Sequence, residues 1–212
     1  MGIASTATTS LFIRRIKIIC VDIETIGIES TSGILSLAAI YHDETLKTFR
    51  FSDMVSGAFF VKFDIVDQLR NYGRTSDKDT MAWWEKQGEY PKRMSFIPRA
   101  DDKKLVDGLT LFSEWMNLVN PKKNEMIWVR GSLDQPVIES AYRAANLKSG
   151  ISYNHWRDVR TFIDTVYSRS NNGYVDVDTS IVPDYNFNSA VKHDPVQDVA
   201  LDICMMCAGV SD

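Results

Sequence analysis

The spacing of apolar positions changes along the chain, and this change predicts the order of its elements. Residues 16–22 form a short, nearly continuous apolar run, and residues 33–41 and 46–51 have a similar strand-like composition. Runs of this length that are rich in branched and aromatic residues are typical of buried strands. A polar turn from His42 to Thr45 separates the second run from the third. The beginning of the chain therefore predicts a three-strand antiparallel meander.

Helical periodicity follows, and beyond residue 125 it alternates with short strands. The predicted strands are Met126–Val129 and Trp156–Val159. The predicted helices run from Ser76 or Asp77 through Lys86, from about Lys104 to Leu118, from Pro136 to Ala145, from the last strand through Tyr167, and from Pro195 to Ala208. A meander that leads into strand–helix alternation predicts an α/β fold, with a mixed sheet of antiparallel and parallel strands and helices on both faces.

The composition predicts one globular domain. The 212 residues are 44% hydrophobic and 25% charged, which is ordinary for a globular protein and sufficient for a single well-formed core. We expect a flexible tail at residues 1–15, which are rich in Ser and Thr, and a single domain at residues 16–212. No apolar run approaches membrane-spanning length, so a membrane partner is not expected.

Charge and cysteine content limit the classes of function that are compatible with this chain. A formal net charge of −4 argues against broad neutralisation of duplex DNA phosphates, although a nuclease whose site is built from carboxylates remains compatible with it. The three cysteines are an odd number, which disfavours a disulfide framework and favours an intracellular setting. The Cys204–Cys207 spacing is also that of a redox or zinc half-site, but it lies in an apolar helical pattern that favours core packing.

Two carboxylates end the first predicted strand. Because side chains alternate across a strand, Asp22 and Glu24 point to the same face and repel each other. Such a pair is tolerated if it is solvated, if one group is protonated, or if a cation lies between the two.

Three further polar residues follow later strand and helix ends. Asp134 comes after the Met126–Val129 strand, where it is either a ligand or the N-cap of the next helix. His193 lies just outside the last helix and Asp198 one turn inside it, so both can face one cleft. Asp202, a turn further on, is interpreted as helix surface.

Together these residues predict a site for hard divalent cations. Carboxylate oxygens suit Mg²⁺ or Mn²⁺ better than zinc, and two such ions can clamp the attacking and leaving oxygens of a phosphodiester. His193 titrates near neutrality and could act as a general base for the attacking water. The candidate metal ligands are Asp22, Glu24, Asp134 and Asp198.

The same residues, in this order, resemble the DEDDh 3′-5′ exonucleases of the DnaQ-like superfamily, whose fold is ribonuclease-H-like. The V-D-I-E-T segment at Asp22 is similar to the first motif, Asp134 in W-V-R-G-S-L-D-Q-P to the second, and H-D-P-V-Q-D at His193 to the third. The chain is especially similar to the subgroup of phage exonuclease A and the mycobacterial exoribonucleases. The resemblance spans roughly residues 17–207.

The resemblance assigns a role to each residue. It implies that Asp22 bridges two metal ions, that Glu24 and Asp198 hold the ion that activates water, that Asp134 supports the second ion, and that His193 is the general base. One departure concerns Asp134, which follows Leu133 where the family usually has an aromatic residue. The resemblance also implies the cytoplasm of a bacterial or phage-infected cell and is compatible with a homodimer.

Aromatic and basic residues are candidates for substrate binding. Trp83 and Trp84 are adjacent on a predicted helix, so one of them can stack a nucleobase, or one can be core and the other partly exposed. Arg130 and Arg160 are candidate phosphate ligands, as is Arg157, and each could instead pair with Asp158. The polar segment 168–192 precedes His193 and is a candidate lid.

The function predicted from the sequence is that of a two-metal 3′-5′ exonuclease acting on 3′ ends of single-stranded DNA, or secondly RNA, and releasing nucleoside 5′-monophosphates. Two alternatives remain open. One is a ribonuclease-H-like binding module that has lost catalysis, and the other is a phosphodiesterase of short oligonucleotides.

Overall fold

The computed structural model describes residues 17–43, 47–167, 170–186 and 191–210. The predicted tail at residues 1–15 lies outside these ranges, as do parts of the candidate lid. The strands are β1 Lys17–Thr25, β2 Ile34–Asp43, β3 Phe59–Lys62, β4 Ile127–Val129 and β5 Trp156–Asp158. The helices are α1 Phe51–Gly57, α2 Ile65–Asn71, α3 Lys78–Glu85, α4 Glu89–Pro91, α5 Leu105–Val119, α6 Asp134–Ala144, α7 Val159–Val166 and α8 Pro195–Ala208, with a π-helical turn at Lys92–Phe96 and a 3₁₀ turn at Tyr153–His155.

The five strands form one mixed sheet in the order β3-β2-β1-β4-β5. β1 and β2 are antiparallel, as are β2 and β3, whereas β4 pairs in parallel with both β1 and β5. The sheet therefore confirms the predicted combination of an antiparallel meander with parallel strands. β1 is its central strand, so residues at the carboxyl end of β1 lie in the middle of the row of strand ends.

Helices cover both faces of the sheet, as predicted. On one face, Ile18 and Cys20 of β1 pack with α1, α7 and α8. On the other face, Ile19 and Val21 pack with α5 and α6. Cys204 is buried in the α8 layer and Cys207 packs against it, which agrees with the core interpretation of this pair. In the described part of the chain no helix has the length and apolar character needed to cross a membrane.

The third strand of the meander was predicted at the wrong place. The strand lies at Phe59–Lys62, whereas Phe51 begins helix α1 and Leu46 is outside the described residues. Helix α1 begins where it does because the carboxylate of Asp184 accepts the backbone N–H groups of Phe51, at 2.8 Å, and Ser52, at 3.1 Å. Asp184 is 133 positions from Phe51, so local sequence patterns do not reveal this cap.

Two helices, α3 and α8, begin close to their predicted starts, and each is capped by an aspartate. The side chain of Asp77 accepts the backbone N–H of Thr80 at 2.8 Å and begins α3. The side chain of Asp194 accepts the backbone N–H of Val196 at 3.1 Å, with Pro195 in the first turn of α8. Because Asp194 fixes the start of α8, it also fixes the position of the residue before it, His193.

Candidate active site

The carboxyl end of β1 points Asp22 and Glu24 toward α8. The two residues have the same parity as Ile18 and Cys20, which pack in the α8 layer, while Ile23 points to the opposite core. The pairing of β1 with β2 is regular through Glu24, and its register shifts immediately afterwards. The predicted placement of two carboxylates on one face at a strand end is therefore what the structure shows.

The start of α8 brings His193 and Asp198 to the same edge. His193 has a left-handed backbone with φ of 62°, and its N–H donates to Oδ2 of Asp198 at 3.0 Å. Asp198 lies in the first turn of α8, above the end of β1. The turn before the helix thus folds back so that both residues face one cleft.

Glu24, His193 and Asp198 form a group of possible metal ligands in the described chain. One ligand atom from each lies within 4.8 Å of the other two. The cleft has a volume of about 220 Å³. Its polar lining consists of Asp22, Glu24, Arg130, Lys192, His193, Asp198 and Asp202, together with Tyr174.

Asp134 is the first residue of α6, and its N-cap alternative is wrong. The capping position is Leu133, which provides no side-chain hydrogen bond. Asp134 is only 6% exposed, and its Oδ2 has no hydrogen-bond partner among the described residues. After burial, the charge of Asp134 is the largest contribution that raises the pKa of Asp22, so these two carboxylates are neighbours. A buried oxygen without a partner is what a cation ligand leaves when no cation is bound.

Burial and mutual repulsion raise the pKa values of the acids. The pKa of Glu24 rises to about 8 through burial and the charges of Asp198 and Asp134. Burial and the charge of Asp202 raise the pKa of Asp198 to about 7. The pKa values of Asp22 and Asp134 lie well above their usual range, in both cases chiefly because of burial. Too little positive charge lies near these carboxylates to offset their mutual repulsion. Their oxygen atoms are suitable ligands for a hard divalent cation.

The imidazole of His193 is poised as a neutral base. Burial, and secondarily the charge of Lys192, lower its pKa below the usual value. The indole of Trp83 packs edge-on against it, with ring centroids 4.7 Å apart and an interplanar angle of 89°. A half-buried neutral histidine can accept a proton near neutral pH.

Asp202 was interpreted as helix surface, and this was wrong. It is 5% exposed and lines the cleft beside the other acids. Its Oδ1 accepts a hydrogen bond from Nε of Arg130 at 2.8 Å and lies 2.7 Å from Nη2 of the same arginine. The signal for this role was available, since Asp202 is four residues after Asp198 and shares its side of the helix.

Arg130 is therefore engaged within the protein. Besides its pair with Asp202, it donates from Nη1 to the carbonyl oxygen of Gly173 at 3.0 Å and stacks over the ring of Tyr174 at 4.4 Å. Its predicted alternative partner, Asp158, instead caps α7 and accepts the N–H of Gly131 at 2.8 Å. Arg130 lines the cleft with its charge already paired.

Gly173 connects the pair of Arg130 and Asp202 to α7. Its φ is +75°, and its N–H donates to Asp164 at 2.8 Å. A Cβ at this position would lie 2.7 Å from Cα of Arg160. Burial raises the pKa of Asp202, and the charges of Arg130 and of the half-buried Arg160 oppose this rise, so the charge of Arg160 belongs to the acidic region. Arg157, by contrast, is exposed and donates to the carbonyl oxygens of Asn154 and Trp156.

The two tryptophans have separate roles. Trp84 is fully buried, donates its indole N–H to the carbonyl oxygen of Thr25 at 2.9 Å and stacks on Phe96. Its assignment to substrate binding is therefore wrong, because no face of its ring is accessible. Trp83 is 39% exposed and lies beside His193, where a nucleobase can reach it.

Comparisons with known proteins agree with this geometry. A family model described as the 3′-5′ exoribonuclease Rv2179c-like domain matches residues 17–205. The protein named exodeoxyribonuclease of Enterobacteria phage T4 is 29% identical over an alignment of 205 positions that covers 88% of this chain and 86% of the phage protein.

Two solved structures share the fold at low sequence identity. The E. coli ExoI–ssDNA complex in its zinc-bound form has a TM-score of 0.59 at 13% identity over 92% of this chain, which spans 40% of that longer chain. The nuclease domain of 3′hExo, a DEDDh family member bound to rAMP, has a TM-score of 0.58 at 10% identity over 91% of this chain and 90% of its own. The sheet and its helices thus have the predicted ribonuclease-H-like fold of DEDDh exonucleases. The chain belongs to the family of the 3′-5′ exoribonuclease Rv2179c-like domain and is a 3′-5′ exonuclease, a hydrolase of phosphodiester bonds.

Proposed function

We propose that the chain uses two Mg²⁺ or Mn²⁺ ions to remove nucleoside 5′-monophosphates from the 3′ end of single-stranded nucleic acid, with DNA as the first choice and RNA as the second. The observation that carries this proposal is the convergence of Glu24, His193 and Asp198 within 4.8 Å at the end of β1. Asp22, Glu24, Asp134 and Asp198 would hold the ions.

The excess of carboxylates in the cleft supports the binding of divalent ions. Five carboxylates meet here, those of Asp22, Glu24, Asp134, Asp198 and Asp202, and the causes of their pKa shifts show that they influence one another. Arg130 balances one of them. The other four carboxylates outnumber the two further cations near the cleft, Lys192 and Arg160, and they provide the oxygen donors for divalent ions. When bound, such ions neutralise the acids and stabilise the attacking and leaving oxygens of an in-line displacement.

The chain's own residues supply the base and its orientation. His193 takes the proton of the attacking water, since its lowered pKa keeps the imidazole neutral. Its backbone bond to Asp198 holds it at the cleft, and the edge of Trp83 limits the rotation of the ring. The pair of Arg130 and Asp202 keeps Asp202 from competing for the cations.

The names of similar proteins support a single-stranded substrate. The ExoI structure contains ssDNA and the 3′hExo domain contains rAMP, while the family description names an exoribonuclease. The phage T4 relative is named an exodeoxyribonuclease and matches over most of both chains, which favours DNA as the first choice.

The test uses 5′-labelled single-stranded DNA, RNA and dinucleotides with Mn²⁺, alongside EDTA and Asp22→Asn controls. The expected result is a ladder that shortens one nucleotide at a time and a nucleoside 5′-monophosphate product identified by chromatography. Cleavage of dinucleotides alone would indicate a short-oligonucleotide phosphodiesterase. The absence of any metal-dependent product would overturn the proposal and favour a binding module.

A further inference from the structure

The segment that follows α3 contacts the start of α8. The hydroxyl of Tyr90 lies within hydrogen-bonding reach of Asp194 and Gln197. Asp194 caps α8 and is the residue after His193, and Gln197 donates to Asp194 at 2.9 Å. Tyr90 therefore contacts the residue that directly follows the proposed base, His193.

A groove begins at this tyrosine. It has a volume of about 470 Å³ and is lined by Tyr90, Arg93, Met94, Ile97 and Arg99. Tyr90 is 41% exposed and Ile97 40% exposed, so both offer apolar surface to an occupant. Its backbone includes the π-helical turn Lys92–Phe96, a conformation that is frequent at functional sites.

The groove is positively charged in a chain whose net charge is negative. Residues 86–99 contain four cations and one acid, whereas the whole chain has a net charge of −4. The acid, Glu89, pairs with Lys92 at 2.9 Å, which leaves Arg93 and Arg99 as the cationic side chains that line the groove. Arg99 is oriented by a bond from Nη2 to the carbonyl oxygen of Met94 at 3.2 Å.

We propose that this groove holds the single-stranded nucleotides that precede the scissile bond. Arg93 and Arg99 bind their phosphates, and Tyr90 and Ile97 pack against their bases. The inference rests on the proposed function and extends it to a second part of the surface. Trp83, exposed beside His193, offers a further aromatic surface next to the proposed base. Arginine planes and aromatic rings are the groups that bind single strands without reading their sequence.

Two measurable properties follow from this placement. Catalytic efficiency should rise with substrate length until the groove is filled, because in this proposal the nucleotides held by Arg93 and Arg99 lie upstream of those bound in the cleft. Binding should also weaken with salt, with a slope that falls by about 0.7 for each phosphate contact removed from a single strand.

The test compares Arg93→Ala/Arg99→Ala with the native chain and with Lys122→Ala/Lys148→Ala. The control removes two exposed cations near the amino end of β4. Because β4 is parallel to β1, these cations lie at the strand ends opposite to Glu24. Arg93→Ala alone, an exposed position, serves as a second variant if the double variant has a lowered thermal midpoint.

The groove variant should lose about tenfold in kcat/KM on twelve-nucleotide DNA and RNA and should match the native chain on dinucleotides. Fluorescence anisotropy of the same oligonucleotides in EDTA should show a salt slope lower by about 1.4. Equal losses on long and short substrates, or a groove variant that behaves as the lysine control, would overturn the inference. The anisotropy arm needs no catalysis, so it tests the groove even if the native chain degrades nothing.

Discussion

The backbone N–H of His193 donates to Oδ2 of Asp198 over 3.0 Å, so the proposed base and a proposed metal ligand are tied directly together. The bond uses the main chain of His193 and leaves its ring available for proton transfer. Because Asp198 is part of α8, the helix itself holds the base at the cleft.

Replacement of His193 by Ala should lower turnover by about 10²–10⁴-fold, the usual contribution of a general base. The variant keeps its N–H and therefore its bond to Asp198, so Mn²⁺ should still raise the thermal midpoint as in the native chain. Single-turnover rates and Mn²⁺ titrations measure the two effects. A loss of Mn²⁺ affinity as large as the loss of rate would instead make His193 a ligand.

The metal-free protein should become less stable as pH rises from about 5 to about 8. Glu24 and Asp198 have folded pKa values of about 8 and about 7, above those of the unfolded chain, so their contribution to stability is present at low pH and is lost as they ionise in the folded state. Thermal midpoints in EDTA measure this decrease, and Mg²⁺ or Mn²⁺ should largely remove it.

Glu24→Gln provides the matched variant for this prediction. It removes one of the two titrating groups and keeps a side chain of similar size, so its midpoint in EDTA should depend less on pH. A native midpoint that rises over the same range would contradict the raised pKa values.

Replacement of Trp83 by Ala should raise KM by about tenfold, since stacking on an aromatic ring contributes about 1–3 kcal/mol per base. Trp83→Phe should retain most of the affinity. The measurement is steady-state kinetics on single-stranded oligonucleotides. A change in kcat with an unchanged KM would mean that Trp83 acts by packing on His193 and not by stacking a base.

Trp84→Phe is the control for the tryptophan pair. It removes the indole bond to the carbonyl oxygen of Thr25 and part of a fully buried side chain. The expected effect is a lower thermal midpoint, with KM close to the native value.

Replacement of Asp184 by Asn should destabilise the fold at neutral pH by about 1 kcal/mol, because Asn keeps an acceptor oxygen but loses the charge that strengthens these hydrogen bonds. Burial would raise the pKa of this carboxyl, but bonds from the Ser52 hydroxyl and the backbone N–H groups of Ser52 and Phe51 outweigh it and lower the pKa to about 2. The stabilisation is therefore present above the unfolded pKa of about 4 and is lost as pH falls toward 2.

Chemical denaturation at several pH values tests this cap. The native chain and Asp184→Asn should differ at pH 7 and converge below about pH 3. The exposed Asp101→Asn substitution is the control and should have no such difference. A constant difference down to pH 2 would show that the charge of Asp184 is not responsible.

Much of the fold follows from local signals. Helices α3 and α8 have a capping aspartate, Asp77 or Asp194, directly before them, and both were predicted close to their observed starts. The acids at the end of β1 were found because strand alternation places Asp22 and Glu24 on one face. These signals involve residues within a few positions of one another, so a single sequence displays them.

What was missed depends on contacts between distant residues. Residues 46–51 resemble a strand, but the cap from Asp184 makes Phe51 the start of a helix. Asp202 shares the side of α8 that carries Asp198, but its pairing with Arg130, 72 positions away, is a contact that spacing along the helix does not reveal. Which of two adjacent tryptophans is buried was likewise decided by a tertiary bond, the one from Trp84 to Thr25.

Gly173 has no reactive group, yet it contacts three neighbours, and one of them fills the space that a side chain would need. Arg130 binds its carbonyl oxygen, Asp164 accepts its N–H, and Arg160 occupies the space that a Cβ would need. In a library of all single substitutions, variants at Gly173 should therefore be as poorly tolerated as variants at Asp22. A screen that scored tolerance alone would place this glycine among the groups that perform the chemistry, although its contribution is to keep the loop before His193 against α7.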